Sequence, residues 1–288
     1  MVHIVVSKFG EVCEEEIGDV IEIMEECYRR LAPHEVALVD LYVFERSSSV
    51  EAFSAKECME VGVASASFDE LFFAMHDAWR GTPRIILCFE RMKKLQKLVK
   101  MGGIRHEVGH SVLHGSLDYY ILSFPLPLLK FADQYKLSFE YLANLIYLIS
   151  IAVKDYEVSR LLYRRGYVED QVAYNRHLLR VTENDLLSWK ASRNIPEAEV
   201  LYLISCLKVA GCAIPLLVDK EFGEEIRLHL MENFSYLPAD CSSLLLKVLF
   251  EGFPSLGMNT LENIGQMVSE LKVIFETYFN RKSSLSKM

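Results

Sequence analysis

Ile104-Arg105-His106-Glu107-Val108-Gly109-His110-Ser111-Val112-Leu113-His114-Gly115 decides how the rest of the chain is read. In a helix, residues i and i+4 stand one above the other on one face, so His106 and His110 present two imidazoles to one metal ion. Glu107, beside the first of them, is placed to act as general base on a water at that ion. Histidine is scarce, 8 of 288 residues, which makes chance occurrence of the pattern rare. The flanking Ile104, Val108, Val112 and Leu113 predict a buried helix, against the alternative of an exposed histidine pair on a surface helix. Gly115 is a natural helix stop. Gly102-Gly103 predicts an interruption or a start, because each interior glycine costs about 1 kcal/mol relative to alanine.

A catalytic zinc takes three protein ligands and keeps a fourth position open, so a third ligand must lie elsewhere. His114 follows His106 by two turns, about 12 Å along the axis at 1.5 Å per residue, too far for all three to share an ion. It is read instead as orienting a ligand or lining the cleft. A third histidine six residues beyond His110 is also absent, since Leu113 and Ser116 stand where that extended motif needs Gly and His. Glu157 is the better candidate, 47 residues after His110 in Lys154-Asp155-Tyr156-Glu157-Val158-Ser159-Arg160. The run from Tyr141 to Val153 is apolar nearly all round, which predicts a buried helix over about residues 138–165 that stops at Gly166. An acid on such a helix needs a partner: a metal ion, or Arg160 one turn on. Asp155, the second choice as ligand, points about 200° away around the helix.

Outward from these two helices, apolar residues at three- and four-residue spacing predict an amphipathic helix over Glu14–Leu31. Strands are expected at 36–44, at 62–67 and, entered through the turn Gly81-Thr82-Pro83, at 84–89. Ser47-Ser48-Ser49 reads as a loop, 68–79 as either a helix or a rim segment, and Tyr119–Phe124 as a strand closed by Pro125 and Pro127. Beyond Val181 the pattern becomes helical only, with starts at Thr182-Glu-Asn-Asp185, Asn194-Ile-Pro196-Glu197 and Asn259-Thr-Leu-Glu262. The division expected is residues 1–180, mixing α and β, and residues 181–288, all helical.

Composition narrows the function. With 51% hydrophobic and 25% charged residues the chain is a folded globular protein, and 31 basic against 40 acidic residues, net −9, exclude a general nucleic-acid binder. Seven cysteines, odd in number and without a C-x-x-C pair, predict no disulfide framework, and the first residues lack the pattern of a secretory leader. A cytoplasmic location is therefore expected. Val200–Val218 is long enough to span a bilayer but carries Lys208, Gly211 and Pro215, and a buried core helix explains it as well. The basic run from Arg91 to Arg105 is read as a solvated helix face, with steering of an acidic substrate as the alternative. The apolar C-terminal helices, including Leu244–Phe250, predict core, or else a surface joining copies of the chain or a lid.

Over about Leu38–Gly166 the chain resembles the zincin metallopeptidases of the gluzincin type, through His106-Glu107-x-x-His110, the downstream Glu157 and the preceding strands. The pattern is similar also to that of uncharacterised archaeal proteins. The resemblance implies an α+β fold, with a small mixed sheet over an active-site helix and a glutamate helix, followed by an all-helical subdomain. It implies one zinc ion held by His106, His110 and Glu157, with Glu107 activating a water against a peptide bond. A peptide or protein substrate would lie along an edge strand, either Gly62–Ser67 or Arg84–Phe89, with core sheet the equal alternative for each. Tyr163, His177 and Tyr119 are the implied candidates for steadying the oxyanion, and His114 and Arg160 for lining the cleft. Leu161 stands where the family usually carries a second acid on the glutamate helix, so Asp118 or Asp155 is the candidate for orienting a ligand histidine. The alternative is a non-proteolytic metal-binding protein of the same fold, regulatory or partner-binding.

Overall fold

A computed structural model describes residues 2–61 and 71–285. Along the chain its elements run β1 (His3–Phe9), α1 (Glu14–Leu31), β2 (Leu38–Phe44), α2 (Ser47–Val61), β3 (Ala74–Asp77), β4 (Arg84–Cys88), α3 (Phe89–Met92), α4 (Lys97–His114), α5 (Leu126–Tyr135), α6 (Phe139–Arg164) and α7 (Glu169–Leu178). There follow α8 (Glu183–Ser192), α9 (Pro196–Ala213), α10 (Gly223–Asn233), α11 (Ala239–Lys247), α12 (Thr260–Glu270) and α13 (Lys272–Leu285). The fold is mixed α+β and 68% helical, so the small four-stranded sheet is the minor partner. The residues form two compact units: Met1–Tyr120 with Leu161–Leu178, and Ile121–Arg160 with Leu179–Met288.

In the first unit the sheet order is β1-β2-β4-β3. β1, β2 and β4 run parallel, and β3 closes one edge antiparallel to β4, with His76 opposite Ile85. β4, expected as either a substrate-binding edge or core sheet, is core: it pairs with β2 on one side and β3 on the other and is buried along its whole length. β1 went unanticipated: His3-Ile-Val-Val-Ser-Lys-Phe9 pairs residue for residue with Leu38–Phe44. α1 buries Ile17, Val20, Met24, Cys27, Tyr28 and Leu31, with three glutamates in its first turn and Arg29 and Arg30 in its last, matching the helix dipole at both ends.

Several expectations are corrected here. Ser47-Ser48-Ser49 is not a loop but the first turn of α2; Ser47 donates both its N–H (2.8 Å) and its Oγ–H (2.7 Å) to Glu90 Oε2, which satisfies a helix-start donor from outside the helix. Gly102-Gly103 neither interrupts nor starts α4 but lies in its interior. A Cβ on Gly102 would meet Asp170 O at 2.4 Å, and one on Gly103 would meet Phe73 Cζ at 2.4 Å. The helix accepts the glycine penalty because α7 and Phe73 approach its backbone there, and Gln171 Nε2 donates to Gly102 O at 3.0 Å. Tyr119–Phe124 is not a strand: a 3₁₀ turn at Leu117–Tyr119 precedes an irregular stretch, and Tyr120 N–H closes onto Leu117 O at 2.9 Å. Of the undecided 68–79 segment, Ala74–Asp77 is the edge strand β3. The strand expected at 62–67 lies outside the described residues.

At the start of β4, Arg84 is buried with two acids: Nη1 and Nη2 bind the two Glu57 oxygens at 2.8 and 2.7 Å, and Nη2 also binds Asp77 Oδ2 at 2.7 Å. This fork ties α2 to β3 and β4.

In the second unit the described residues beyond Val181 are helices and turns only, as the sequence predicts. Thr182 and Asp185 form a reciprocal capping box on α8, and Asn259 Oδ1 accepts from the N–H groups of Leu261 and Glu262 at the start of α12. The apolar stretch of α6 buries Leu145, Ile149, Ala152 and Val153 completely. At its far end Gly166, at φ +79°, takes the left-handed conformation that ends the helix. Pro196–Val218 is long and apolar enough to cross a membrane by length and composition, and most of it is buried within the protein.

Candidate metal centre

α4 is the central helix of the first unit, packed against α1, α7 and β3. Its motif residues are all buried: His106, Glu107, His110, Ser111 and His114. The i, i+4 spacing works twice. His106 Nε2 lies 3.2 Å from His110 Nε2, and His110 Nδ1 lies 3.2 Å from His114 Nδ1. His114 thus touches the middle histidine of the row.

Neighbouring elements fix this row. Ser111 donates to Val108 O at 2.7 Å, so Tyr28 of α1 is the donor in the 2.7 Å bond between Tyr28 Oη and Ser111 Oγ. Burial pushes the Tyr28 phenol above its ordinary pKa. Tyr174 of α7 lies against the His106 ring at 5.7 Å, and Tyr119 meets His114 edge-on at 5.2 Å. Arg105 bridges Asp170 and Glu26, both at 3.0 Å, and Tyr167 donates to Glu26 at 2.9 Å. The basic run is therefore not uniformly a solvated face. Lys93, Lys94 and Lys97 are exposed, whereas Arg105 is drawn in by its two acids.

One residue that sequence reasoning missed joins the group. His76 of the edge strand β3 stacks over His110, rings 5.8 Å apart and 8° from parallel, and its Nδ1 is 3.2 Å from Tyr120 Oη. Nothing local marks it, because its nearness to α4 comes from the strand's position at the sheet edge.

The other predicted site residues stand on several elements. Asp118 is exposed on the 3₁₀ turn, and Tyr163 is half-buried near the end of α6. His177 of α7 is buried and its Nε2 donates to Leu71 O at 2.9 Å. In the second unit, Lys154, Asp155 and Glu157 are all buried on α6. Glu157 accepts from Thr260 Oγ1 at 2.7 Å and from Asn263 Nδ2. Arg160 donates to Leu256 O at 2.7 Å and Gly257 O at 2.6 Å. Burial lowers the Lys154 ammonium to about 8, against the opposing pull of Asp155 and Glu157.

The donor set on α4 suits a metal ion. At zinc–nitrogen bonds of about 2.0–2.1 Å, two nitrogens 3.2 Å apart subtend about 100°, near the tetrahedral angle. Compared with protein-family models, curated proteins and solved structures, the chain finds no match.

Proposed function

We propose that the protein is a zinc-dependent peptidase of zincin-like arrangement, in which His106 and His110 hold the ion and Glu107 is the general base. The observation that carries this is the 3.2 Å approach of the two Nε2 atoms on a buried helix that also carries Glu107. For the third ligand we keep Glu157, on the resemblance alone. When bound, zinc acidifies water and polarises a carbonyl. Glu107 takes the proton of the attacking water on its carboxylate and returns it to the leaving amine. Among the described residues β3 is an antiparallel edge strand packed on α4, and this supports the peptide reading, because an extended chain can add to such an edge by backbone hydrogen bonds. We place the protein in the cytoplasm on its cysteine usage, with a peptide or protein as substrate.

The second reading is a metal-binding module without hydrolysis. It needs the histidines but gives Glu107 no role, whereas a general base beside the first ligand is what hydrolysis requires. Glu107→Gln separates the two. The peptidase reading predicts that hydrolysis of a fluorogenic peptide library falls by about 10²–10⁴-fold while zinc content is unchanged. Wild-type protein that holds zinc and cleaves no peptide in the library would favour the module.

A further inference from the structure

We propose that His114 is a positioning residue that decides which nitrogen of His110 is available to a metal ion. This rests on the metal-binding reading of α4 above. A neutral imidazole carries one N–H and one lone pair, and a hydrogen bond between two ring nitrogens needs one of each. His110 meets His114 through Nδ1 and His106 through Nε2, both at 3.2 Å. The tautomers along the row are therefore coupled. With the His114 proton on Nε2, its Nδ1 lone pair accepts from His110 Nδ1–H, and the His110 Nε2 lone pair faces His106. With the proton on His114 Nδ1 the order reverses: His110 carries its proton on Nε2, and the nitrogen facing His106 is masked.

The usual partner of a ligand histidine's second nitrogen is a carboxylate, a backbone carbonyl or water. Here an imidazole on the same helix meets that nitrogen. His114 is fully buried and Tyr119 meets its ring edge-on, so its ring orientation is fixed by packing. Because His106, His110 and His114 follow at i, i+4 and i+8, one helix sets both the ligand pair and its orienting group.

Two variants test this. His114→Asn keeps a side-chain acceptor close to the position of Nδ1, and His114→Leu removes it. Zinc affinity is read by competition with a chromophoric chelator, and the His110 tautomer by ¹⁵N imidazole shifts in the metal-free protein. His114→Leu is expected to weaken zinc binding about 10–100-fold and to change the balance of Nδ1–H and Nε2–H tautomers on His110. His114→Asn should recover most of both. Thermal unfolding without zinc checks that both variants fold. If His114→Leu does not, His114→Gln, whose carbonyl reaches instead toward the place of Nε2, should bind zinc more weakly than His114→Asn. Wild-type affinity in His114→Leu would overturn the proposal, and so would equal damage in the Asn and Gln variants. Loss of zinc as complete as in His106→Ala, unrelieved by Asn, would make His114 a ligand and overturn it too. Wild-type protein that binds no zinc would instead overturn the metal reading, and the tautomer shifts would still judge His114.

Discussion

α4 and α6 both bury charged and polar side chains on long helices, but the two helices satisfy them differently. On α4 the histidine row has local contacts, His106, His110 and His114 meeting one another four residues apart, although Arg105 and Ser111 of the same helix reach Asp170, Glu26 and Tyr28. On α6 the partners are remote in sequence: Glu157 is held by Thr260 and Asn263, and Arg160 by the carbonyls of Leu256 and Gly257. Burial demands a partner in either case. Only helix periodicity lets the sequence say which one.

The α4 side breaks most sharply at Gly103. If the glycine pair exists to let Phe73 and α7 approach, Gly103→Ala should destabilise the protein by about 1–3 kcal/mol in urea unfolding, against helix propensity. Gly18 is the control: a Cβ there meets nothing within 4 Å, so Gly18→Ala should stabilise by about 0.5–1 kcal/mol. Two stabilised variants would mean that the glycines of α4 answer to something other than close packing.

On the α6 side, Asn263→Ala removes one donor from a buried carboxylate and should cost about 1–3 kcal/mol. A double-mutant cycle with Glu157→Gln should show a coupling of about 0.5–3 kcal/mol, because the two side chains share one bond. Additive effects would contradict the direct pairing and leave Glu157 held by other groups.

The same contrast explains what the sequence made legible. α1, β2 and β4, and the caps at Thr182 and Asn259, follow from periodicity and short-range hydrogen bonding, and the structure places them within two residues of the sequence reading. The serine run misled because the acceptor for Ser47 is Glu90, 43 residues away. The glycine pair misled because propensity ignores the neighbour that needs the space. β1 is not legible in the sequence because none of His3–Phe9 is fully buried and no turn signal stands ahead of it. At the candidate site, His106, Glu107, His110 and His114 were visible because one helix holds them all. His76 was not, because a sheet edge delivers it to His110.

The central claim is that His106 and His110 form a metal-binding pair, and zinc content measured by plasma mass spectrometry tests it most directly. Protein purified without added metal and then reconstituted with zinc should hold about one ion per chain, and His110→Ala should hold little. A wild-type chain that binds no zinc after reconstitution, or a His110→Ala chain that binds as much as the wild type, would contradict the account.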